Sequence, residues 1–133
     1  MCNSVLLRKF KQLKFQNGAI KWFMDFLSNR TQYVSCGSAR SATLPVKSGV
    51  VAGSVLGSVL FSIVIDSLPY ELDAPLVMFA DDFKVLINVT KMGIVRARSV
   101  VGIVRNWCEV NELDLSVSKS CCLHSKKKFY CDI

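Results

Sequence analysis

The sequence predicts an α+β fold, a small antiparallel sheet with helices packed on one face, and three observations point to it. Two short apolar runs, Leu76-Val77-Met78-Phe79-Ala80 and Phe83 with Val85-Leu86-Ile87-Asn88-Val89, flank Asp81-Asp82; they read as two strands joined by a tight acidic turn. Residues from Arg30 to Val46 alternate loosely around Cys36-Gly37-Ser38, the pattern of a second β-hairpin. The remaining long segments repeat their apolar residues at helical spacing. Hairpins separated by helical stretches, without a regular strand–helix alternation, give α+β.

In chain order, Ser4 to Phe15 reads as a basic amphipathic helix, with Leu6, Phe10 and Leu13 on one face and Arg8, Lys9, Lys11 and Lys14 largely elsewhere. Asn17-Gly18 breaks it. Ala19 to Leu27 gives a second helix with Ile20, Phe23 and Leu27 at i, i+3 and i+7; its aromatics Trp22, Phe23 and Phe26 read as core rather than as base-stacking platforms. After the first hairpin, Gly49 and Gly53 permit a loop whose backbone can approach a ligand closely, and a helix follows from about Ser54 to Leu68. Beyond the acidic turn, Lys91 to Glu112 reads as a long helix, apolar at Val95, Val101, Val104 and Cys108 and basic at Arg96, Arg98 and Arg105. Leu113 to His124 gives a closing strand, and Ser125-Lys126-Lys127-Lys128 a basic turn or tail.

At 133 residues and 51% hydrophobic, the chain is one domain's worth with material for a core. Its formal charge of +7 is uneven: residues 1–64 hold eight Lys and Arg against Asp25 alone, whereas residues 65–133 hold nine of each sign. A basic front half suits a phosphate backbone, which is held by counterion release rather than by base reading; a solvated basic face would carry the same charge. Six cysteines without an apolar leader are expected as reduced thiols, and the spacing of Cys121, Cys122, His124 and Cys131 matches no C-x-x-C zinc pair. The stretch Ser48 to Ile65 has no charge, and Gly53 and Gly57 have helix-dimer spacing, but its small and polar start favours a buried helix over a bilayer span.

Two carboxylates on a rigid hairpin can hold divalent cations, although an acidic turn joining two strands looks the same on this dipeptide alone. The segment Ser48-Gly49-Val50-Val51-Ala52-Gly53-Ser54-Val55-Leu56-Gly57-Ser58-Val59-Leu60-Phe61 resembles the S-G-V-P-Q-G-S-V-L-G-P-L-L-F motif of non-LTR (LINE-type) retrotransposon reverse transcriptases. In that family I-x-I-N-D-L-P and F-A-D-D follow; here Ile63, Ile65, Asp66, Leu68 and Pro69, and then Phe79 to Asp82, stand at those positions. Upstream, Leu6-Leu7, Gly18, Trp22, Phe26-Leu27-Ser28-Asn29-Arg30, Gln32 and Val34 look like the segment leading into the palm. Downstream, Trp107, Asn111, Leu113, Leu115 and Lys119 look like W-x-x-x-N-x-L-x-L-x-x-x-K.

The resemblance implies that residues 1–133 are a partial reverse-transcriptase domain, the end of the fingers and the palm, without a thumb. It implies an RNA-directed DNA polymerase working by two-metal nucleotidyl transfer, with Asp81 and Asp82 as catalytic and metal-binding acids and Mg²⁺ (or Mn²⁺) as cofactor. Gly49, Ala52, Gly53, Ser54 and Lys119 would contact nucleotide or template, and Arg8, Lys9, Lys11 and Lys14 the nucleic-acid backbone. Partners would be an RNA template, a DNA primer and dNTP, with no membrane, inside the cell in nucleus or cytoplasm. Three departures bear on activity. The family's D-x-x-K-A-F-D, whose first Asp is the third catalytic acid, would precede Met1; Val51-Ala52 replaces Pro-Gln; and Ser58 replaces a second Pro. The expectation is a palm fragment inactive by itself, or alternatively a non-catalytic RNA- or DNA-binding module.

Overall fold

The computed structural model describes residues 3–88, 93–124 and 127–129. Its contacts divide the chain into two compact units, one ending at Ser67 and the other beginning at Leu68. Helices and antiparallel strand pairs make the fold α+β, as the sequence predicts; the strands pair two by two.

The first unit begins with α1 (Asn3–Gln12), which buries Val5, Leu6 and Phe10. Its end is set by backbone geometry rather than by Asn17-Gly18. Lys14 takes a φ of 57°, its N–H donates to Lys11 O (3.1 Å), and the Phe15 N–H donates to Phe10 O (3.0 Å). This is a Schellman ending, and its accompanying hydrophobic contact is Phe15 on Phe10, with ring centroids 5.1 Å apart. Leu13, placed on the buried face by its spacing, falls in this unwinding turn and is 55% exposed. Asn17-Gly18 instead opens α2 (Asn17–Leu27), which buries Ile20 and Leu27 and half-buries Phe23 against Phe10 (5.0 Å). Trp22 is not core: at 100° per residue it lies about 200° round from Ile20, and it stays 55% exposed, stacked on Phe26.

The predicted first hairpin forms, with β1 (Thr31–Gln32) pairing β4 (Leu44–Pro45) and, inside them, β2 (Ser35–Cys36) pairing β3 (Ala39–Arg40). The predicted helix from Ser54 becomes α3 (Val55–Ile65) and, in the second unit, a short α4 (Leu68–Glu71). α3 packs on α1, with Leu60 and Val64 fully buried. Gly53 has a φ of 78° and precedes α3, so Gly53 and Gly57 form no small-residue stripe on one helix. Among the described residues no helix is long and apolar enough to cross a membrane.

In the second unit β5 (Leu76–Phe79) pairs β6 (Asp82–Val85), and α5 (Gly93–Val110) packs on α4. Lys91 and Met92, which the sequence places in this helix, and Val89 of the predicted strand lie outside the described residues. The buried stripe of α5 and its end is Val100, Val104, Trp107, Cys108 and Asn111. Val95 is 59% exposed because nine residues of helix put it half a turn from Val104. Arg96 faces the preceding segment, donating to Asp73 O (2.6 Å). A second Schellman ending closes α5, with Glu112 at φ 51° and the Leu113 N–H donating to Cys108 O (2.9 Å).

The predicted strand from Leu113 shrinks to β7 (Cys122–His124), paired with β8 (Lys127–Phe129), after a 3₁₀ turn at Val117–Lys119. The Ser120 hydroxyl donates to Ser116 O (2.8 Å), a local bond that competes with a strand ladder. Ser125 and Lys126 of the predicted basic turn lie outside the described residues, as do Cys2, Cys131 and the His124 side chain.

Candidate functional site

Asp81 and Asp82 stand where the flanking apolar runs place them, at a hairpin tip. The register pairs Phe79 with Asp82 and Met78 with Phe83, leaving Ala80 and Asp81 as the two-residue turn. Leu76, Met78, Phe83 and Val85 are half-buried on one face; Val77, Phe79, Asp82 and Lys84 are exposed on the other. Ala80 has a φ of 52°, the first of two central turn residues, a position where a type II′ hairpin places Gly. Both carboxylates are exposed, and neither makes a hydrogen bond or ion pair among the described residues.

The loop from Gly49 to Ser54 is tied down at both ends. Ser54 caps α3: its hydroxyl oxygen accepts from the Gly57 N–H (2.9 Å) and the hydroxyl donates to Val51 O (2.8 Å). Gly57 is buried, and a Cβ there would lie 2.5 Å from Val51 O, so the position favours Gly. Gly49 and Gly53 have φ of 85° and 78°, left-handed backbone that a side chain would strain. Arg30 completes the frame: its Nε donates to Leu27 O (3.1 Å) at the end of α2, and its Nη2 donates to Gly49 O. Ser54 therefore serves the helix start, and Ala52 is left exposed at the loop's outer turn.

Of the basic residues assigned to α1, Arg8, Lys11 and Lys14 are exposed, whereas Lys9 turns inward and its Nζ donates to Ser67 Oγ (2.6 Å). Lys119 is exposed at the end of the 3₁₀ turn. Gly49, Ala52, Gly53 and Ser54 thus share one loop of the first unit, and Asp81 and Asp82 one turn of the second. Arg30 and Gly57 are contributors that residue chemistry did not single out. The signal for Arg30 was its place just beyond a helix end, where Arg side chains satisfy the last carbonyls. Gly57 stood out in sequence as part of a helix-dimer spacing and of the Ser48–Phe61 motif, not for its packing.

Among the described residues no group of three or more His, Cys, Asp or Glu side chains could hold a metal ion. Among the described residues Asp81 and Asp82 are two adjacent carboxylates, fewer ligands than a pair of bridging divalent ions would need. A family model described as Reverse transcriptase (RNA-dependent DNA polymerase) matches residues 4–130. The chain belongs to the reverse transcriptase family. No curated protein and no solved structure matches it. Membership brings nucleic-acid template and primer, nucleotide substrates and divalent ions as the family's reactants and cofactors. The acidic hairpin offers two exposed carboxylates, and the capped glycine loop offers chiefly backbone.

Proposed function

We propose that the chain is palm sequence of a non-LTR (LINE-type) retrotransposon reverse transcriptase, spanning residues 1–133, and that by itself it does not catalyse nucleotidyl transfer. The observation that carries this reading is the exposed Asp81-Asp82 turn within a chain matched to the family over residues 4–130. Asp81 and Asp82 are the metal-binding acids in this reading, toward Mg²⁺ or Mn²⁺, and a further carboxylate from outside the described residues is needed to complete the set. The loop Gly49–Ser54 lies along the nucleotide path, with Ala52 giving no side-chain hydrogen bond there. Arg8, Lys11 and Lys14 meet the phosphate backbone of template or primer, as does Lys119; Lys9, bound to Ser67, contributes less. The protein acts inside the cell, where its template is.

Primer extension on an RNA template with labelled dNTP and either Mg²⁺ or Mn²⁺ tests the reading. No incorporation is expected, together with salt-sensitive binding of the template–primer. Template-dependent incorporation that Asp81→Asn abolishes would overturn the inactivity. A second reading, a non-catalytic RNA- or DNA-binding module, is favoured by the acid-poor front half and by the same shortage of ligands among the described residues. The two readings separate when a segment of the D-x-x-K-A-F-D type is joined in cis ahead of residue 1: the first expects extension to appear, the second does not.

A further inference from the structure

The hairpin between Thr31 and Pro45 is exposed at every residue, so both faces of the ribbon are wet. A two-stranded ribbon without a covered face is marginal in water, and its strand edges are open to pairing. Yet this ribbon is ordered by specific bonds. Gly37, at φ 58°, and Ser38 form the turn between Cys36 and Ala39. Ser41 Oγ accepts from the Val34 N–H (2.9 Å), Ser41 N–H donates to Val34 O (2.9 Å), and Val46 N–H donates to Arg30 O (2.8 Å) at the base.

What this ribbon presents is aromatic and cationic, with no carboxylate. Residues 26–65 contain no Asp or Glu, while Arg30, Arg40 and Lys47 are all cations. Arg30 is committed to the Leu27 and Gly49 carbonyls, which leaves Arg40 and Lys47 exposed. The Arg40 guanidinium lies over the Tyr33 ring, 5.0 Å from its centroid, while Tyr33 remains 50% exposed. An exposed ring stiffened by a guanidinium, in an acid-free segment with a further lysine, is complementary to a strand that offers both base faces and phosphates.

We propose that this hairpin binds single-stranded nucleic acid, with a base stacking on Tyr33 and phosphates held by Arg40 and Lys47. The proposal deepens the reading of the chain as reverse-transcriptase sequence and rests on it for the ligand class. A single strand is favoured over a duplex because paired bases keep their faces stacked on each other and have none to give to Tyr33.

The test is equilibrium binding of labelled oligo(dT) and oligo(U) to the 133-residue chain over a range of KCl concentrations. Tyr33→Ala is expected to weaken binding about 10- to 100-fold, the effect of losing one stacked base, while Tyr33→Phe keeps it. Joint replacement Arg40→Ala and Lys47→Ala is expected to lower the slope of log K against log[salt] by about 0.7 for each lost phosphate contact. A duplex of the same length should bind Tyr33→Ala as it binds wild type. Photocrosslinking of wild type to a bromouridine-containing strand gives a readout independent of variant folding, and adducts within residues 31–47 are expected. Wild-type affinity and slope in all variants, or adducts only elsewhere, would overturn the hairpin proposal and leave the nucleic-acid reading standing. Absence of any oligonucleotide binding by wild type would overturn both.

Discussion

At the start of α3 the backbone is held from three directions: Arg30 on Gly49 O, the Ser54 hydroxyl on Val51 O, and Gly57 packed where no Cβ fits. At the Asp81-Asp82 turn the β5–β6 ladder holds the chain, and both carboxylates stay without partners among the described residues. The first region uses its polar groups to fix its own shape, so it can offer a ligand backbone and little else. The second leaves its charged groups unengaged and accepts a positive φ at a residue with a Cβ. Shape is preset in the loop; exposed charge is kept in the hairpin.

The largest effect should come from breaking the preset loop. Gly57→Ala puts a methyl 2.5 Å from the Val51 carbonyl oxygen and 3.0 Å from Ser54 Oγ, and the nearer of these is backbone that cannot rotate away. Overpacking of this kind costs about 1–3 kcal/mol, and the contact with backbone argues for about 3. The urea midpoint should fall accordingly, and the amides of residues 51–57 should lose hydrogen-exchange protection first. An unchanged midpoint would mean that the loop yields easily and that its order is not set by this packing.

The same contrast explains what the sequence disclosed. The acidic hairpin was legible because it is local: two apolar runs, two aspartates and a short turn contain all the information its fold requires. The first hairpin and the four main helices were legible from periodicity for the same reason. The end of α1 was not, because Lys14 occupies a left-handed position where Gly or Asn is the usual signal. The exposed state of Trp22 and Val95 was missed by counting apolar residues without tracking their angle round the helix. Arg30 could be read as a helix-end donor, but its bond to Gly49 was out of reach, since it depends on a residue nineteen positions away returning to the end of α2. The place of Asp81 and Asp82 at the hairpin turn was therefore readable to the residue, while the frame around the glycine loop needed the three-dimensional fold.

A smaller effect, of opposite sign, should come from the hairpin. Ala80 at φ 52° carries a left-handed penalty of about 1–2 kcal/mol, which Gly lacks, less the extra entropy that Gly loses on folding. Ala80→Gly should therefore stabilise the β5–β6 hairpin by about 1 kcal/mol or less, seen as slower exchange of the Val77 and Lys84 amides. Loss of stability would show that the turn carries no strain at Ala80, and the contrast with the glycine-built loop would fail at this point.

The smallest expected effect concerns pH. Cys108 is buried on α5, and burial pushes its thiol pKa up, with the nearby charges of Asp114 and Glu109 adding to the rise. The folded chain then holds this proton more tightly than the unfolded chain, whose thiol titrates near the usual value of about 8.5. Stability from this difference is fully present below the unfolded pKa and is lost as pH rises toward the folded one. Melting temperature should accordingly decline above about pH 8 in wild type, and more gently in Cys108→Ala, once the lower baseline stability left by the small cavity is subtracted. Alkylation sharpens the test, because Cys36 and Cys121 are exposed and should react first while Cys108 waits for opening of the second unit. Cys108 reacting as fast as Cys36 at neutral pH would mean that α5 opens freely. The second unit would then have no settled core around Cys108.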